Sequence, residues 1–175
     1  MQHAVEVDQL RKYLAGDNHQ FDTHIERVDT LKRVIPPSRG CHVRGWHPTR
    51  KGQPSVPFES LLESRVISWL INHHEMLEIV SQPVTVHYRH QGRRHRYTPD
   101  FLVRFSSVPD KLRVLGFAES TLIEVKPYER AREKAEVLAR QFAALRLARQ
   151  CPVVLLTDRD IKCLTQAGGP SCILS

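Results

Sequence analysis

Apolar positions change their period several times along the chain, and each change marks an element. Ala4 to Leu14 reads as a short amphipathic helix ended by Gly16. Pro36, Pro37 and Gly40 then break the chain. From Pro57, a favourable first helical residue, Phe58, Leu61, Leu62, Val66, Trp69 and Leu70 recur at helical spacing and predict a helix over 57–74. VTVHYRH, after Pro83, alternates as a half-buried strand does; Gln91-Gly92 makes the turn and 93–105 the returning strand. Residues 112–117 are expected as a further strand. TLIEVK at 121–126 is a strong strand pattern that Pro127 stops. A long helix over 129–150 carries Ala131, Ala135, Leu138, Phe142 and Leu145 on one face. PVVLL at 152–156 reads as a strand covered on both sides, and Thr157 or Asp158 caps a last helical turn.

A strand, a crossover helix and a further strand imply a right-handed parallel unit. With the hairpin, this predicts an α/β fold built on a mixed central β-sheet flanked by helices. The expected organisation is an N-terminal arm and basic loop over 1–54, a compact core over 55–165 and a tail over 166–175. No internal repeat or low-complexity tract interrupts it.

Composition narrows the function. The chain has 175 residues, 41% of them hydrophobic, which is enough for one core. Its net charge of +7 and pI of about 9.5 favour a polyanionic partner. No run of ~18 apolar residues is present to span a bilayer. The N-terminus lacks the apolar segment of a secretory signal, so an intracellular, cytoplasmic protein is expected. Cys41, Cys151, Cys163 and Cys172 form no C-x-x-C pair and are expected as free thiols, with Cys151 in the core.

The chemistry concentrates in three carboxylates and one lysine. Asp100 stands in YTPDFLV, and Glu124 and Lys126 stand two apart in LIEVKP, on one face of the same strand. Charges in a central strand are costly unless paired or bound to a metal. Phosphodiester hydrolysis needs a hard divalent cation, and Mg2+ takes carboxylate and carbonyl oxygens. Asp100, Glu124 and the Val125 carbonyl can supply them, while Lys126 can orient water or stabilise charge at phosphorus. The plainer alternative is a structural ion pair between Glu124 and Lys126. On the first helix, Glu59 and Glu63 stand one turn apart and either could join the set. Ser60 and Glu63 also match a capping box, although Pro57 argues for an earlier helix start.

An acidic helix, then PDFLV, then EVK resembles the PD-(D/E)xK nuclease superfamily. More narrowly, SLLE, SQP, DFLV, EVKP and VVLLTDRDI, in this order over roughly 55–162, resemble TnsA, the endonuclease of Tn-seven-like transposons. The resemblance implies a restriction-endonuclease-like fold in a single nuclease domain with an N-terminal arm. It implies a catalytic set of Glu63, Asp100, Glu124 and Lys126, with the helix carboxylate on Glu63 because SLLE fits the family's S-x-x-E pattern. Metal ligands would be Asp100, Glu124, Val125 and Glu63, the cofactor Mg2+, with Mn2+ as a substitute. Some family members carry Gln at the position of Glu124. The implied activity is cleavage of the non-transferred strand, at the 5′ ends of the transposon. The implied partners are double-stranded DNA, a TnsB-like DDE transposase and a TnsC-like AAA+ regulator, with no membrane. Many members carry a C-terminal winged-helix-like domain. Here the chain ends at AGGPSCILS, so that domain is absent or the chain is truncated, and the basic N-terminal region would carry more of the binding.

Basic side chains give the expected DNA contacts: Arg44, Arg50 and Lys51 around Trp46 in the stretch 38–57, and Arg93, Arg94 and Arg96 on the hairpin leading to Asp100. Charge protection of an exposed strand edge is the alternative for the latter three. His73 and His74 read as surface residues, His87 and His90 lie on opposite faces of the hairpin, and His47 could approach DNA. Other functions remain open: another nuclease of the same superfamily, or an inactive DNA-binding scaffold. The intact acidic and lysine set argues against the last.

Overall fold

The computed structural model describes residues 2–16, 21–30 and 43–166. The expected break at Pro36, Pro37 and Gly40, the start of the basic stretch, Cys41, Cys172 and the tail beyond Gln166 lie outside the described residues.

Among the described residues, fifteen elements follow one another. They begin with α1 (Gln2–Ala15), β1 (Thr23–Asp29), β2 (Gly45–His47), β3 (Val56–Phe58) and α2 (Leu61–Ile71). A ribbon of β4 (Met76–Ser81), β5 (Thr85–His90), β6 (Arg93–Tyr97) and β7 (Phe101–Phe105) comes next. Then come α3 (Asp110–Val114), β8 (Ser120–Val125), α4 (Tyr128–Glu133), α5 (Ala135–Arg149), β9 (Val153–Leu156) and α6 (Asp158–Gln166). The order β4-β7-β8-β9 makes a mixed sheet, with β8 and β9 parallel across the α4–α5 crossover and the other pairs antiparallel. A second, antiparallel sheet has the order β1-β5-β6.

Alternation along β8 explains the two cores. Leu122 joins Leu138, Phe142 and Leu145 of α5 and Val7, Leu10 and Leu14 of α1. Ile123 and Val125 face the other way, onto Val66, Ile67 and Leu70 of α2 and Ile161 of α6. The mixed sheet flanked by helices agrees with the expected fold class. α1 and β1, expected as part of an arm, pack into the body. Arg11 ion-pairs with Asp160 at 2.5 Å, and Arg146 donates to the Leu14 carbonyl at 3.1 Å.

Several expectations change. The first helix starts at Leu61, because Pro57 lies in β3 paired with Trp46 and Ser60 is the N-cap. Residues 112–117 are not a strand. Pro109 leads into the short α3, only Leu112 of that helix is buried, and Gly116 turns the chain at φ +91°. The long helix divides at Lys134, whose φ of −110° is not helical. Cys151 is half-buried against the first core, and burial pushes its thiol up.

Candidate active site

β4–β5 and β6–β7 form one long antiparallel ribbon with a bend. Ser81 faces Phe101 on one side of the bend and Val86 faces Tyr97 on the other. Four residues, 82–85, therefore stand opposite three, 98–100. This extra residue is a bulge, a device that re-aims side chains next to functional sites. Gln82 takes a φ of +47°, and its N–H donates to the Asp100 carbonyl at 2.8 Å. Pro99 withholds an amide there, so the expected strand over 93–105 breaks into β6 and β7. Asp100 stands at this bend, beside the end of β8.

The Val125 N–H donates to Asp100 Oδ2 at 2.7 Å, which locks the carboxylate to β8. One residue earlier, Glu124 is 4% exposed. Its Oε2 accepts from the Tyr97 hydroxyl at 2.5 Å, and its Oε1 ion-pairs with the Lys126 ammonium. Burial, then Glu124, then Glu63 push the Asp100 carboxyl well up, against the lowering effect of the Val125 amide and Lys126. The three carboxylates thus crowd one place, with Lys126 as a partial counter-charge.

Glu63 arrives on α2. Its N–H donates to Ser60 Oγ at 3.2 Å, the Ser60 hydroxyl donates back to Oε1 at 2.9 Å, and the Glu59 N–H donates to Oε2 at 2.8 Å. The capping box is therefore formed, and it holds a carboxylate that feels Glu124. Burial is the largest influence on Glu63 and raises its pKa. Glu59 is partly exposed and stands 3.9 Å from Arg44. The Glu124–Lys126 ion pair, the plainer alternative, also forms, within the cluster. Replacing Glu63 by Gln keeps an oxygen acceptor and a cap, so folding is expected to survive while cleavage is lost. Glu59→Gln is expected to leave cleavage within a few-fold. Melting curves and nicking rates of the two variants decide it, and an inactive Glu59→Gln would shift the helix assignment.

Among the described residues, no group of three or more His, Cys, Asp or Glu side chains is arranged to hold a metal ion. The oxygens of Glu63 and Glu124 and Oδ2 of Asp100 are engaged by protein donors. The donor chemistry nonetheless fits a hard dication: these are carboxylate oxygens with spare lone pairs, gathered with more negative than positive charge.

Tyr97 was not singled out from the sequence. The signal was available, since it ends the basic RRHRY strand as its one fully apolar-facing position. Of the residues expected to contact DNA, Arg50 is engaged within the protein. Its guanidinium donates to the carbonyls of Ile71, His73, His74 and Met76, closing the C-terminal end of α2. His47 bonds Ser68 Oγ at 2.7 Å and so fastens β2 to α2. Gly45 leaves room there for the Phe58 ring, which a Cβ would meet at 2.7 Å. Trp46 is 70% exposed on this hairpin, and Lys51 is exposed in its turn. Arg93, Arg94 and Arg96 are exposed on β6, with Arg94 3.5 Å from Glu26. His73 packs edge-on against Trp69, with ring centroids 5.4 Å apart, and burial lowers its pKa. His87 pairs with Asp29 at 3.0 Å on the outer face, whereas His90 is buried.

The mixed α/β architecture, with its sheets flanked by helices, is consistent with a restriction-endonuclease-like fold. Residues 73–151 match the family model described as TnsA-like endonuclease N terminal, so this segment is similar to that domain. The match includes Asp100, Glu124 and Lys126, and Glu63 lies before it. No curated protein matches the chain in sequence. No helix among the described residues is long and apolar enough to cross a membrane.

Proposed function

We propose that the chain is a Mg2+-dependent DNA endonuclease of a Tn-seven-like transposition system, hydrolysing the non-transferred strand at the 5′ ends of the transposon. A TnsB-like DDE transposase would cut the other strand, and a TnsC-like AAA+ regulator would license both. The observation that carries this reading is the convergence of Glu63, Asp100, Glu124 and Lys126 within a chain similar to TnsA-like endonucleases.

Asp100 and Glu124 would hold the cation, with Glu63 and the Val125 carbonyl beside them. The cation would neutralise phosphate charge and acidify the attacking water, and Mn2+ would substitute for Mg2+. Asp100 is pinned by the Val125 amide, so its free oxygen is oriented before substrate arrives. Lys126 keeps about a quarter of its side chain open and presents its ammonium beside Glu124. From there it can orient the water or stabilise charge on the phosphate oxygens.

The outer face of the β1-β5-β6 sheet supports the DNA contact. Register puts Arg96 beside His87 and Arg94 beside Arg89 on that face, which leads along β6 to Asp100. Glu26 neutralises it in part, through Arg89 at 3.0 Å and Arg94 at 3.5 Å. Arg96→Ala is expected to leave melting unchanged and to weaken DNA binding on any sequence, reducing the slope of log affinity against log salt by about one. An unchanged salt slope removes Arg96 from the interface. Arg44, Arg93 and Lys51 remain proposed contacts.

The strand assignment is tested on transposon-end DNA labelled on either strand, with a matching transposase and Mg2+. A nick on the 5′-end strand alone supports the reading. DNA bound but never nicked, under any divalent metal, identifies a scaffold subunit instead, and nicks without strand preference identify another nuclease of the superfamily.

A further inference from the structure

We propose that Tyr97 is a positioning residue for the metal centre, its hydroxyl holding Glu124 in the orientation in which that carboxylate meets the divalent cation. The inference rests on the metal-dependent reading above. The Tyr97 hydroxyl lies 2.5 Å from Glu124 Oε2, the short distance of a hydrogen bond onto a carboxylate. Both residues are buried, so water does not take over when this bond is lost. Lys126 holds the other oxygen, Oε1. Each carboxylate oxygen has two acceptor sites, so both bonds leave Glu124 able to ligate. A glutamate side chain has three rotatable bonds, and here its far end is fixed at both oxygens.

The ribbon explains how a tyrosine reaches this point. Tyr97 and Asp100 flank the bend on the same strand line, three residues apart. The bulge that aims Asp100 at β8 also brings the end of β6 over Glu124. A core tyrosine satisfied by a chance acceptor would not share its acceptor with the lysine of the cluster. Hydrogen-bond partners of metal ligands characteristically change metal affinity by 10–100-fold when removed.

Tyr97→Phe keeps the ring and deletes the bond. Mn2+ binding to the DNA-free protein, followed by electron paramagnetic resonance, is expected to weaken by 10–100-fold relative to wild type. The Mg2+ concentration for half-maximal cleavage rises by the same factor, and the rate at saturating Mg2+ returns to within a few-fold of wild type. A purely structural role would lower the folded fraction and leave the metal midpoint in place. Should the variant fail to fold, wild type labelled with 13C at the tyrosine ζ carbon gives the answer. The chain has four tyrosines, so removing the other three in turn assigns Tyr97. Its resonance is expected to move on Mg2+ addition and to stay still in Asp100→Asn. Equal Mn2+ affinity in folded Tyr97→Phe, or a Tyr97 resonance indifferent to Mg2+ that the wild type binds, overturns the proposal. A wild type that binds no Mn2+ overturns the metal-dependent reading itself, which is a different result.

Discussion

In EDTA, Asp100→Asn is expected to melt a few degrees above wild type, and in Mg2+ it is expected not to cleave DNA. Burial and the charges of Glu124 and Glu63 raise the Asp100 carboxyl, so the folded state holds its proton more tightly than the unfolded chain. The stability linked to this group is complete below the unfolded carboxylate value of about 4 and is lost as pH rises through the raised value. At neutral pH that stability is reduced, because the unfolded chain ionises this carboxyl more readily than the folded protein does. Asparagine removes the charge and still offers an oxygen to the Val125 amide. The stability gain should shrink as pH falls toward about 4, where the aspartate becomes neutral in the unfolded chain as well. Mg2+ is expected to raise the melting point of wild type, since it binds only the folded state, and to leave the variant unmoved. The loss in cleavage should be about 10³-fold or more, roughly 4 kcal/mol of transition-state stabilisation. Melting in EDTA and in Mg2+ across pH, beside nicking rates, checks every part. A variant less stable than wild type at neutral pH would show that the charge is already compensated in the folded protein.

Arg50→Ala is expected to behave in the opposite manner. The side chain donates to the carbonyls of Ile71, His73, His74 and Met76, tying the end of α2 to the start of β4. Hydrogen bonds from a charged donor are worth more than neutral ones, and a cation suits a helix C-terminus. Truncation should cost about 2–4 kcal/mol and lower melting by on the order of 10 °C. DNA affinity of the folded fraction should stay unchanged, in contrast to Arg96→Ala. Urea denaturation and a binding titration below the melting transition separate the two. A drop in affinity with unchanged stability would return Arg50 to the DNA interface.

These expectations indicate what the sequence could disclose. Residue types carried the site: EVK on an apolar strand and an aspartate behind Pro99 are costly in a core without a purpose, and both lie at the cluster. The βαβ unit of β8, the α4–α5 crossover and β9 was legible because long apolar periodicity survives local breaks. Local deviations were not legible. β4 shows no clean alternation, since its pairing with β7 shifts register between Met76 and Glu78. β1, THIERVD, looks like loop because its outer face is charged and only the other faces the core. Pro57 reads as a helix start and is equally suited to a short edge strand, so it masks the capping box of Ser60 and Glu63. Arg50 reads as a phosphate contact by type, and only the fold reveals the helix end that it closes.

The most direct measurement is cleavage of transposon-end DNA by wild type and Asp100→Asn, each in Mg2+ and in EDTA, beside a matching transposase. The account predicts one metal-dependent nick by wild type, and none by the variant although it folds and binds DNA. Cleavage by folded Asp100→Asn at the wild-type rate would contradict it.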